Sequence, residues 1–150
     1  MHLEGTYVLN CDRDAVWRFI SDPQKIAQCL PDLQSLDVKD EKHFTATVKA
    51  GIAFVRGTLK FDFTLIDQTP PSHSTFEAAG KGAGVSLRLN ATIDLKEIET
   101  DNTELVWKTE VHLGGLLGEI SPSLIQNSTD RMTNQFFECI KAQLEPHPSN

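Results

Sequence analysis

The 150-residue sequence holds no apolar run long enough for a membrane-spanning helix, no run of Lys and Arg longer than two, no CxxC pair and no internal repeat. Each absence removes a class of function. Without about 18 consecutive apolar residues, a transmembrane segment is not expected. Fourteen Lys and Arg against 21 Asp and Glu give a net charge of −7. Thinly spread cations on an acidic chain argue against a phosphate-tracking surface, so nucleic acid is not an expected partner. The three cysteines, Cys11, Cys29 and Cys139, are odd in number and widely spaced. That spacing predicts neither a disulfide framework nor a zinc site. Met1 to Thr6 offer no basic segment followed by an apolar one, so a soluble cytoplasmic protein is expected.

Catalytic signatures are missing too. No GxSxG elbow occurs, and His2, His43, His73, His112 and His147 pair neither with one another nor with a cysteine. Asp12 and Asp14 stand together at a predicted helix start, where carboxylates serve as cap and dipole partners. Gly80-Lys81-Gly82-Ala83-Gly84 is followed by a strand, so it reads as a hairpin or bulge; a phosphate loop needs a helix there. No cofactor or metal is implied.

What remains is an ordinary globular composition, 39% hydrophobic, long enough to bury roughly 70% of its unfolded surface in one core. One domain is expected over residues 1–145. The polar, proline-broken 146–150 reads as a disordered tail. Residues 3–9 form a first strand. Two short helices follow, the first with Val16, Phe19 and Ile20 inside, the second starting at Asp22-Pro23 and ending at Pro31. From 34 to 113 the apolar period changes to two, broken by polar turns, which predicts an antiparallel meander. Its clearest strand is 85–96, where Val85, Leu87, Leu89, Ala91, Ile93 and Leu95 alternate without exception with polar residues. Parity leaves few ionisable groups inside, although a slip at a bulge would bring in Asp62 or Arg88.

Ser121-Pro122 opens the longest helix, which runs to Leu144. The class is α+β: a curved antiparallel sheet of six to seven strands around that helix. Its apolar stripe of Ile125, Met132, Phe136, Ile140 and Leu144 is interrupted at Ser128 and Thr129. A cavity is expected under this amino-terminal half, lined by Phe61, Phe63, Leu87, Leu89, Trp107, Thr129, Met132 and Phe136. Leu116 and Leu117, between the glycines of 114–118, or Leu30 and Pro31 would provide access to it.

The order of strand, two short helices, meander and long helix resembles the helix-grip fold of the START-like, or SRPBCC, superfamily. Within it, Gly5-x-Tyr7, Val16-Trp17, Asp22-Pro23, Cys29-Leu30-Pro31, Gly51, Val55-x-Gly57, the 80–84 glycines, Thr103-x-Leu105-x-Trp107 and Phe136-Phe137 look like the CoxG family, named for a carbon monoxide dehydrogenase subunit. The resemblance covers residues 2 to about 144. It implies a non-catalytic, cavity-forming carrier of a hydrophobic small molecule such as a quinone or lipid. It also implies a molybdenum hydroxylase such as carbon monoxide dehydrogenase as partner, and transient contact with a membrane surface. Asp32 stands where the family usually has glycine. The alternatives are a START-like cyclase or hydratase, which needs an acid/base pair inside the cavity, and an assembly factor acting through its surface.

Overall fold

The computed structural model describes residues 1–30, 32–52 and 55–145. Pro31 and the 146–150 tail lie outside the described residues. The chain forms β1 (His2–Leu9), α1 (Arg13–Ile20), α2 (Pro23–Ala27), β2 (Leu33–Val38), β3 (His43–Ile52), β4 (Val55–Thr69), β5 (His73–Gly82), β6 (Val85–Glu99) and β7 (Asn102–Gly115). A 3-10 turn over Leu116–Glu119 leads into α3 (Pro122–Leu144). The seven described strands make one sheet in the order β1-β7-β6-β5-β4-β3-β2, every neighbour antiparallel. This is the expected helix-grip arrangement.

The local chemistry of each element is legible. Asp12 caps α1 by accepting from the Ala15 amide at 2.9 Å, and Asp22 caps α2 through the Gln24 amide at 2.9 Å. Ser121 caps α3, with Pro122 at its first position. Between β5 and β6 only Ala83 and Gly84 form the turn, with φ of 52° and 76°. Positive φ at both central residues makes the primed turn that suits strand twist. The glycine-rich segment is thus a hairpin.

Burial splits into two clusters. Leu9, Cys11, Val16, Phe19, Leu95, Leu105, Phe137 and Ile140 form one with the carboxy-terminal half of α3. Val55, Leu59, Val85, Leu117, Ile120 and Ile125 form the other at its amino terminus. Ser128 and Thr129 fall between the two, where the stripe of α3 is interrupted. α1 and α2 connect β1 and β2, the two edges of the sheet, and so span one end of its concave side.

Two neighbouring glycines test how rigid these strands are. A Cβ at Gly80 would lie 2.5 Å from the Phe61 ring, which can shift. One at Gly82, where φ is +140°, would lie 2.1 Å from the Thr58 carbonyl oxygen, which is held in the ladder. Gly82→Ala is therefore expected to destabilise by more than Gly80→Ala, itself worth about 1–3 kcal/mol. Urea midpoints check the ranking, and a reversed order would show that the β4–β5 backbone yields more easily than the ring.

Candidate functional site

The concave side of the sheet holds an apolar cavity of about 110 Å³. Its roof is the lid segment after β1, through Ile20, Ser21, Pro23, Ile26 and Leu30, together with Phe136, Phe137 and Ile140 of α3. Its floor comes from Phe44 of β3, Phe63, Thr64 and Leu65 of β4, Ser74 and Phe76 of β5, Ile93 of β6 and Leu105 of β7. Phe44 and Phe63 stack with ring centroids 4.6 Å apart, and Phe136 meets Phe137 edge-on at 5.4 Å. None of the described lining residues is ionisable. Three are polar, and the Ser21 hydroxyl is buried without a hydrogen-bond partner.

The cavity lies under the carboxy-terminal half of α3 and the lid. Of the eight residues expected to line it, Phe63 and Phe136 do so. Phe61 and Leu87 pack against the second cluster. Trp107 packs against the first, 5.9 Å from Phe137, with its indole over Gly5. Leu89 is half-buried on its strand. The Thr129 hydroxyl donates to the Ile125 carbonyl at 2.8 Å within its own helix, and Met132 is 40% exposed. Of the access residues, Leu30 belongs to the cavity wall. Leu117 is buried in the second cluster while Leu116 is exposed. Sequence reasoning missed the lid residues Ile20 and Ile26 and the strand residues Phe44 and Phe76. Ile20 and Ile26 did show helical apolar spacing, but that spacing alone does not separate core from cavity wall.

Perturbed titrations lie elsewhere. His2 is raised by its hydrogen bonds to Glu4 and Glu110, and Glu4 is lowered in return, all on the exposed surface. His43 meets Asp40 at 2.8 Å and His73 meets Asp94 at 2.6 Å, again in solvent. Burial pushes the Cys11 thiol up to about 11, so it stays protonated and unreactive. Asp62 and Arg88 keep to the outer face, because the β4 and β6 irregularities fall at Leu65/Asp67 and Glu97/Glu99. Among the described residues no group of three His, Cys, Asp or Glu side chains could hold a metal ion. No described helix is long and apolar enough to cross a membrane.

One covalent link overturns the expectation from cysteine spacing. Cys29 and Cys139 form a disulfide, with Cα atoms 5.5 Å apart across 110 residues of sequence. The first follows α2 and the second sits on α3. The chain brings them together only by closing the lid over the helix, which no spacing rule detects.

Known proteins share this architecture. The profile of the CoxG family, described by its carbon monoxide dehydrogenase subunit, matches residues 5–145. No functionally curated protein matches the sequence. Among solved structures, a conserved protein from Geobacillus kaustophilus is similar with a TM-score of 0.89 at 24% identity, covering 95% of this chain and 94% of that one. A START superfamily protein from Mycobacterium smegmatis is similar with a TM-score of 0.74 at 9% identity, over 95% and 96% of the two chains. The Zhui aromatase/cyclase from Streptomyces sp. R1128 follows with a TM-score of 0.71 at 13% identity, over 95% and 92%. At these identities the likeness carries the fold alone.

The disulfide allows a direct test of the lid. A link closing a loop of this length restricts the unfolded chain, a contribution of about 2–4 kcal/mol. Reduction by a dithiol, or Cys139→Ser, is expected to lower the urea midpoint accordingly. Equal midpoints for the oxidised and reduced protein would show that the lid is held by packing alone.

Proposed function

The chain belongs to the CoxG family of carbon monoxide dehydrogenase subunits, and on that premise we propose that it is a non-catalytic carrier of a lipophilic small molecule, held between the lid and α3. The observation that carries this reading is the cavity wall: apolar on nearly every side, with no carboxylate, imidazole or amine among its described lining residues. Acid/base chemistry of the cyclase kind needs a titratable pair at the reacting atoms. Affinity from buried apolar area needs none.

Size narrows the ligand. An engineered cavity of about 150 Å³ holds benzene, so a closed space of about 110 Å³ takes a group no larger than one ring. A longer molecule enters by displacing the lid or leaves its tail outside. The unpartnered Ser21 hydroxyl supplies one directional contact, a donor for a carbonyl or an acceptor for a hydroxyl. A quinone ring with a lipid tail, or a lipid with one polar group, meets both conditions. The family relation extends the proposal to an accessory role in the cytoplasm beside a molybdenum hydroxylase such as carbon monoxide dehydrogenase. Exposed Leu116 is the candidate for transient contact with a membrane surface.

Ser74 is 5% exposed and its small side chain faces the cavity. Ser74→Phe is expected to weaken binding of Nile red at least tenfold, with a thermal midpoint within a few degrees of the parent. Ser21→Ala is expected to weaken a ketone-bearing lipophile about fivefold, one neutral hydrogen bond, and to spare a hydrocarbon of the same shape. Fluorescence titration reads both. Undiminished binding by the Ser74→Phe protein would move the ligand out of this cavity.

A further inference from the structure

The outer face of the sheet carries a charge pattern that a carrier of uncharged lipophiles does not require. Residues 43–61 hold Lys49, Arg56 and Lys60, residues 78–93 hold Lys81 and Arg88, and residues 111–118 hold His112, with no Asp or Glu in any of the three stretches. The rest of the chain has nine Lys and Arg against all 21 Asp and Glu. Antiparallel pairing lays the three stretches side by side, since they are the arms of the β3–β4 and β5–β6 hairpins and the end of β7. On the outer face Lys60 then stands opposite Lys81, Lys81 opposite Ser86, and Arg88 opposite His112.

Such an arrangement costs the fold something. Like charges directly across a sheet are destabilising, and Lys60, Lys81 and Arg88 form no salt bridge among the described residues. The carboxylates bordering the patch are Asp62, Glu77 and Glu110. Asp62 accepts from the Thr45 hydroxyl at 2.7 Å, and Glu110 is taken up by His2. Small residues open the surface between the cations. Ala79 and Gly114 line a depression of about 240 Å³ rimmed by Lys81, Ser86, Arg88 and His112. A Cβ on Gly114 would stand 2.5 Å from the Ser86 hydroxyl, so the glycine leaves room for that donor.

We infer that this outer-face depression is a binding site for a phosphate group, held by Lys81, Ser86, Arg88 and His112. A guanidinium fork, an ammonium, a hydroxyl and an imidazole converge from three adjacent strands. A tetrahedral anion with several acceptor oxygens uses donors from several directions, and a planar carboxylate uses fewer. The phosphate is either free, as on a small phosphorylated molecule, or part of an anionic lipid headgroup. The site is on the opposite side of the sheet from the apolar cavity, so it stands or falls independently of the carrier reading.

Full-length protein is titrated with inorganic phosphate by calorimetry and sedimented with phosphatidylcholine vesicles with and without phosphatidylglycerol. Binding is expected in one arm at low salt, at least tenfold weaker in Lys81→Gln/Arg88→Gln. It should be unaffected in Lys96→Gln/Lys141→Gln, which makes the same change of net charge elsewhere. Response to inorganic phosphate assigns a free ligand, and response to phosphatidylglycerol vesicles alone assigns a headgroup; either supports the site. Lys81→Gln should also keep or raise the thermal midpoint, because it relieves the repulsion from Lys60, and Nile red uptake should be unchanged. Absence of binding in both arms, or an equal loss in the Lys96/Lys141 control, overturns the inference.

Discussion

A single helix has to cover a concave surface seven strands wide, and most of the architecture follows from the mismatch. Strands about 4.8 Å apart make the sheet roughly 30 Å across, while a helix with its side chains is about 10–12 Å wide. α3 therefore cannot seal the sheet along its whole length. At its amino terminus the 3-10 turn brings Leu117 and Ile120 down beside Ile125, onto Val55, Leu59 and Val85, and that end closes. At its carboxy terminus Phe137 and Ile140 reach Leu105 and Leu95, and the surface left over is covered by the segment after β1. The cavity is what remains between a helix that is too narrow and a lid that is too short.

That lid is also where the chain changes from one edge of the sheet to the other. β1 and β2 are the edge strands, and α1 and α2 are the connection between them. The roof over the cavity is thus a topological necessity, to which the sequence adds apolar residues on one side, caps at both helix starts and a covalent tie from Cys29 to Cys139. Leu30 is the neighbour of one tied cysteine, and Ile140 is the neighbour of the other. Movement of the roof and movement of the cysteine pair are one motion. In a reducing compartment the pair stands as two thiols, and packing alone holds the lid.

The parts of this arrangement that were legible in the sequence are those encoded locally. Alternation in 85–96 set the inner and outer faces of β6, and the register of its neighbours follows from pairing with it. Asp12, Asp22 and Ser121 marked three helix starts by side-chain chemistry. The cavity was harder because its position depends on how far along the sheet α3 stays in contact, a property of no single segment. The gap at Ser128 and Thr129 is present, yet it separates two cores; the largest lining group, the phenylalanines of β3, β4, β5 and α3, gathers farther along, under the lid. Cys29 and Cys139 were illegible for a related reason, since 110 residues of intervening chain carry no trace of the distance between them in space.

Charge shows the same division between what a segment carries and what a register assembles. Net charge places the molecule among acidic proteins, and no local window contains a basic run. Three acid-free stretches are nevertheless visible in the sequence, and only antiparallel pairing makes them adjacent. The side-chain period of two then sends their apolar residues inward to the second core and their cations outward, so one end of the sheet is both sealed inside and basic outside. The cavity occupies the other end, beneath the lid. Inner and outer surfaces of one sheet are therefore specialised at different ends of the strands, an apolar ligand space where α3 and the lid diverge and a cationic face where the hairpins close.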